Sequence, residues 1–255
     1  MSSGSQLLSG RTALVTGASR GLGRAMAIAL AREGVNLVLT ARSQVALAEV
    51  RREAESHGSQ VFSMALELDQ SADGIAEFAD RAWRESGGID VLFNNAGVTF
   101  YRSCLATTAQ EWSRLLSINL SAVFFMCQSF GRRMLERGRG KIINVASDLG
   151  IRGEVNWSAY SASKGAVVAL SKSLAWEWAP KVSVNVIARG PFFTDANRAM
   201  FDAPDIRSAV EERVPLNMIG DPERHLGPAA VLLAGPGSDF MTGAVIRIDG
   251  GICRS

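Results

Sequence analysis

Histidine is nearly absent from this chain. Among 255 residues there are two, His57 and His225. That excludes the paired-histidine zinc motif of metalloproteases and every histidine-rich metal site. Cysteine is scarce as well. Cys104, Cys127 and Cys253 are odd in number and widely separated, which argues against a disulfide framework or zinc cluster and for the reduced thiols of a cytoplasmic protein. No metal is expected. No apolar run approaches the ~18 residues of a spanning helix. Residues 1–10 lack the basic and long apolar parts of a secretory signal. Neither sign of charge dominates: 27 basic and 25 acidic residues give a net +2, so neither nucleic acid nor membrane is an expected partner. No Pro/Gly/Ser-rich linker or repeat divides the chain. One domain over residues 1–255 is expected, with residues 1–9 as a flexible start.

What is present is an alternation. Short β-branched apolar runs at Thr12–Thr16, Asn36–Ala41, Gln60–Glu67, Val91–Asn94, Lys141–Ala146, Ser183–Ile187 and Ala244–Ile248 read as strands. Helical patterns fill residues 22–33, 44–57, 72–86, 109–136, 158–179 and 222–235. Seven strands with intervening helices imply an α/β fold. Its sheet is parallel and doubly wound, with helices on both faces and ligands at the carboxyl edge. Residues 190–222 form one long irregular stretch carrying Phe192, Phe193, Met200, Phe201 and Met218. It reads as a substrate-covering lid or an ordinary surface excursion.

The first strand runs into Thr16-Gly17-Ala18-Ser19-Arg20-Gly21-Leu22-Gly23, a tight turn opening a helix. Backbone without Cβ atoms can approach a diphosphate closely, and the amides of a helix N-terminus attract its charge. An NAD site would place an acid roughly 20 residues on, to accept from the ribose 2′-hydroxyl. The sequence there is Leu39-Thr40-Ala41-Arg42-Ser43, with no acid. Arg20 and Arg42 either converge on a 2′-phosphate or stand exposed in solvent; with the acid missing, NADP(H) is expected over NAD(H). Asp69 is placed either to meet the adenine or to cap the following helix. Asn94-Asn95-Ala96-Gly97 permits close backbone approach after the fourth strand, or is simply a turn.

Ser147 ends the fifth strand. Tyr160 and Lys164, four apart, share one face of the next helix. A phenol has a pKa of ~10, and a nearby ammonium that favours the phenolate makes it a usable acid and base for a carbonyl–alcohol pair. Ser147 can orient the same oxygen. Asn119 is a polar misfit inside a helix, either bending it and freeing a carbonyl for water or facing solvent. The expected partner is a small-molecule carbonyl or alcohol substrate.

Together these pieces resemble the short-chain dehydrogenase/reductase family from about Leu8 to Gly251. The terminal Thr242-Gly243 and Ile248-Asp249-Gly250-Gly251 also match. The pattern is most similar to the β-ketoacyl-acyl-carrier-protein reductase and gluconate dehydrogenase branches. The resemblance implies a single-domain Rossmann fold and a catalytic tetrad of Asn119, Ser147, Tyr160 and Lys164. In it Tyr160 is the acid/base and Ser147 polarises the carbonyl. Lys164 holds the nicotinamide ribose, and the Asn119 backbone supports a water. Gly17, Ser19, Arg20, Gly21, Leu22, Gly23, Arg42, Asp69, Asn95, Ala96, Gly97, Tyr160, Lys164, Gly190, Phe192 and Thr194 are the expected cofactor contacts. The resemblance also implies hydride transfer at C4 of the nicotinamide and a homotetramer or dimer. One position departs from the family. Ala188-Arg189-Gly190-Pro191 puts Arg189 where a proline is expected. A cation there can bind an anionic substrate, adjust the cofactor pocket or point into solvent.

Two rivals remain. Gly17-Ala18-Ser19-Arg20-Gly21 fits the nucleophile elbow of a serine hydrolase, with His225 formally available, but no oxyanion segment of the His-Gly-Gly-Gly type occurs. A non-catalytic NADP-binding sensor on the same fold would not need Ser147, Tyr160 and Lys164 together.

Overall fold

A computed structural model describes residues 8–194 and 202–253. Within them the strands are β1 (Thr12–Thr16), β2 (Asn36–Ala41), β3 (Val61–Ala65), β4 (Val91–Asn94), β5 (Gly140–Ser147), β6 (Val182–Arg189) and β7 (Val245–Ile248). They pair in parallel throughout, in the order β3-β2-β1-β4-β5-β6-β7. The helices are α1 (Gly21–Arg32), α2 (Ala48–Ser56), α3 (Ala72–Glu85), α4 (Ala109–Leu116), α5 (Ala122–Arg137), α6 (Leu149–Arg152), α7 (Ser158–Trp178), α8 (Pro204–Glu211) and α9 (Gly227–Ala234).

Alternate strand residues serve two cores, as a sheet covered on both faces requires. Ala13, Val15, Leu37, Leu39, Val91 and Phe93 join α1, α2 and α9 on one face. Leu14, Val38, Leu92 and Ile142 join α3, α5 and α7 on the other. Local signals start and stop the helices. Ser71 Oγ accepts from the Gly74 amide at the head of α3, Thr108 and Glu111 make a reciprocal capping box on α4, and α5 ends on left-handed Gly138.

The predicted 109–136 helix is helical throughout, but not α-helical throughout. Ser117–Ser121 is a π-helical turn between α4 and α5. Residues 190–222 are not wholly irregular. Pro204 at the first position and Asp205 in the first turn start α8, where proline and an acid both favour a helix beginning. Met200 and Phe201 lie outside the described residues. Of the expected flexible start, residues 1–7 also lie outside them, whereas Leu8 is buried in the core and its amide donates to Glu33 O.

Candidate active site

The strand order reverses between β1 and β4, which opens a crevice at their carboxyl ends. Thr16 ties the two strands together there. Its Oγ1 accepts from the amides of Asn95 and Ala96, each at 2.9 Å, and donates to Phe93 O at 3.3 Å. Asn95 Nδ2 donates to Thr16 O at 2.8 Å. Gly17 and Gly21 have φ of +66° and +55°, a region natural only to glycine. A Cβ on Gly23 would overlap Gly17 O and lie 2.6 Å from Asn95 Nδ2. The first turn of α1 has no side-chain cap and no acid, so its amides are open to an anion. Thr194 approaches the same turn, 3.5 Å from a Cβ built on Gly21.

At the far end of this cradle, Arg20 and Arg42 are exposed. Among the described residues neither pairs with an acid. Asp69 is also exposed, and the side-chain cap of α3 belongs to Ser71, so the capping alternative for Asp69 falls.

The predicted reacting groups are buried at the other end. Lys164, on α7, donates from Nζ to Val145 O at 2.9 Å. Burial, and secondarily the charge of Arg189, push its pKa down to about 7. The cation hydrogen-bonded to the Tyr160 hydroxyl is Arg189, with Nη2 donating at 3.3 Å. Parallel pairing of β5 and β6 sets Ser147 opposite Arg189. Ser147 Oγ donates to Asp148 Oδ1 at 2.9 Å and accepts from the Leu149 amide at 3.2 Å. Asp148 in turn accepts from Arg152 Nε at 2.9 Å. Arg152 reaches Glu154 at 2.6 Å, and Glu154 also pairs with Arg213, beyond α8.

Asn119 sits in the π-helical turn, fully buried rather than solvent-facing. Its Nδ2 donates to Val98 O at 2.9 Å and to Ser163 Oγ at 3.2 Å, and its Oδ1 accepts from the Val98 amide at 2.9 Å. A side chain bound to a neighbouring loop and a locally widened helix are the misfit that this asparagine predicts. Gly97 stands between the two ends. A Cβ there would lie 3.0 Å from Asn119 Oδ1 and 3.4 Å from Lys164 Nζ. Trp157 packs edge-on against Tyr160 with centroids 5.4 Å apart, and Tyr101 against Trp157 at 5.3 Å.

A family model described as Enoyl-(Acyl carrier protein) reductase matches residues 17–253. The chain belongs to the short-chain dehydrogenase/reductase family. It is 36% identical to 2-dehydro-3-deoxy-D-gluconate 5-dehydrogenase of Bacillus subtilis, over 96% of this chain and 95% of that one. It is 35% identical to 3-oxoacyl-(acyl-carrier-protein) reductase FabG of Vibrio cholerae, over 96% and 98%. Its structure matches a gluconate 5-dehydrogenase from Burkholderia cenocepacia, described in complex with NADP and tartrate. That match has a TM-score of 0.92 and 32% identity, and covers 98% of each chain. This dehydrogenase/reductase is an oxidoreductase acting on CH–OH/C=O groups.

Two features of the dehydrogenase/reductase site differ from what its sequence suggests. The Phe192 ring, expected at the cofactor and in the substrate pocket, is buried in the core against Gly220. What Phe192 can offer a ligand is backbone. Asp148, adjacent to Ser147 in sequence, is also its hydrogen-bond partner. An acid directly after the strand-terminal serine was the only signal, and nothing local says that it turns inward. At Gly190 the backbone packs closely on β7's end: a Cβ there would come within 2.7 Å of Asp249 Cα. His225, which a hydrolase would need, accepts the Asp221 amide on Nδ1 at 2.9 Å. Among the described residues no helix is long and apolar enough to cross a membrane.

Proposed function

We propose that this dehydrogenase/reductase prefers NADP(H) and interconverts a small ketone or aldehyde with its alcohol, Tyr160 being the acid/base. One observation carries the reading. Gly97 follows the segment clamped to the end of β1, and it approaches both Asn119 and Lys164. The glycine cradle and the buried reacting groups are therefore one continuous site. The cradle suits a dinucleotide, because Gly17 and Gly21 turn the backbone at positive φ and the first turn of α1 has neither a side-chain cap nor an acid to compete for its amides. Gly17, Ser19, Gly21, Leu22 and Gly23 would hold the diphosphate, with Arg20 and Arg42 on the 2′-phosphate and Asp69 at the adenine. Asn95, Ala96, Gly97, Gly190, the Phe192 backbone and Thr194 would flank the nicotinamide half, and Lys164 its ribose. Bound there, the nicotinamide supplies or accepts the hydride.

Tyr160 gives its proton to the substrate oxygen in reduction and takes it back in oxidation. Ser147 orients the same oxygen once its hydroxyl turns from Asp148. Lys164, with a pKa near neutrality, can pass a proton on, and the Asn119 backbone supports the water that receives it.

Further expectations have support of their own. One domain with residues 190–222 covering the substrate is supported by the Arg213–Glu154 ion pair and by the bridge between Phe192 and Gly220. A homotetramer or dimer is supported by Trp112, Phe124 and Trp176, which stand 41%, 40% and 88% exposed. A cytoplasmic setting is supported by three cysteines free of disulfides.

A paired fluorescence titration with NADPH and NADH tests the cofactor reading. Tighter NADPH binding by ten-fold or more, ~1.4 kcal/mol, is the expected result. Equal or NADH-favoured binding would remove the role given to Arg20 and Arg42.

A further inference from the structure

Arg189 occupies the position where the family has proline, and its side chain does not point into bulk solvent. It is half-buried at the end of β6, opposite Ser147 and in contact with the Tyr160 hydroxyl. A guanidinium carries five N–H donors. Nη1 donates to Gly190 O at 3.1 Å and Nη2 to Tyr160 at 3.3 Å, which leaves the Nε–H and one N–H on each Nη.

No described acid pairs with it. The charged groups of the surrounding elements are engaged elsewhere. Asp148, after β5, is held by Arg152 and Ser147. Glu154 is held by Arg152 and Arg213. Asp249, after β7, accepts the amides of Gly251 and Cys253. The remaining near charge is Lys164, which Arg189 disfavours in its protonated form. Among the described residues Arg189 thus stands against the reacting hydroxyl with no acid paired to it. A partly desolvated, unpaired cation favours an anion, and a guanidinium matches a carboxylate in two-point geometry.

We propose that Arg189 is the carboxylate anchor of the substrate site, which selects small hydroxy or oxo acids whose carboxylate lies close to the reacting carbon. An acyl thioester brings no anion to that place, so the anchor argues against a thioester substrate. The proposal rests on the reading of Tyr160 as the group facing the substrate oxygen, and it deepens that reading by naming the substrate class.

Isothermal titration calorimetry on the NADP-loaded protein tests it, with tartrate and D-gluconate as probes and tartramide and gluconamide as their uncharged counterparts. The wild type is expected to bind at least one acid more tightly than its amide. Arg189→Met is expected to weaken that acid by ten-fold or more, with little change for the amide. Arg189→Lys is expected to recover part of the loss by keeping the charge, and its recovery shows that the site still folds. Equal acid affinity in wild type and Arg189→Met would overturn the anchor. So would an equal loss for acid and amide, or no preference for either acid in the wild type. An enzyme that binds tartrate through Arg189 but turns over no hydroxy acid would keep the anchor and refute the reading of Tyr160 as the acid/base on this substrate.

Discussion

The two ends of the site are built in opposite ways. At the end proposed for the adenine, Arg20, Arg42 and Asp69 are exposed, and no described residue holds the two arginines in an ion pair. At the end proposed for the nicotinamide, Asn119, Ser147, Tyr160 and Lys164 are all buried, and each has a hydrogen-bond partner. Exposed cations can tune which dinucleotide binds at little cost to the fold. Buried polar groups hold reacting atoms in register, which is where positioning lowers a barrier. Substitutions at the first end should therefore change cofactor preference, and those at the second should change turnover or stability.

The largest effect is expected from Tyr160→Phe. Turnover should fall by at least ~10²-fold, the scale of one general acid/base, while NADPH titration stays near the wild-type value. An equal loss of both would break the separation between the two ends. Next comes Gly23→Ala. Its Cβ would collide with Gly17 O and crowd Asn95, and overpacking of this kind costs about 1–3 kcal/mol. Thermal melting and cofactor titration should both register it. Arg42→Asp comes third, with the NADPH/NADH binding ratio moving towards NADH by about ten-fold, ~1.4 kcal/mol. An unmoved ratio would show that Arg42 does not read the 2′-phosphate.

Lys164→Met sharpens the comparison in a different way. The pKa of Lys164 is pushed from 10.5 down to about 7, by burial first and Arg189 second. Between those values the unfolded chain holds a proton that the native state does not. Native stability from this group therefore rises with pH through the window and is lowest below it. Without cofactor at pH 7, Lys164→Met is expected to melt a few degrees higher than the wild type. The gain should shrink towards pH 10, and turnover should be lost throughout. A variant that melts lower at pH 7 would show that the bond to Val145 O outweighs the buried charge.

Much of this was legible in the chain. Alternating apolar runs report strands because each buries both faces, and β1, β2 and β4 fall where their patterns put them. The glycine turn is legible because only glycine adopts such φ values freely, and Asn119 because an asparagine inside a helix signals a distortion. Two features were hidden for physical reasons. The helix at Pro204–Glu211 was masked because proline marks a helix start and an irregular stretch alike. The burial of Phe192 depends on Gly220, brought against it by a bridge between distant segments.

What the sequence by itself determined is the set of parts: a parallel α/β sheet, a glycine turn without an acid after β2, and the residues Asn119, Ser147, Tyr160 and Lys164 in their order. Only the tertiary structure decided how those parts act on one another. The register of β5 against β6 brings Arg189 across from Ser147 and onto the Tyr160 hydroxyl. Burial then lowers the affinity of Lys164 for its proton, and Asp148 takes the Ser147 hydroxyl. Such effects depend on distance and solvent exposure, which are set by chain segments far apart in sequence.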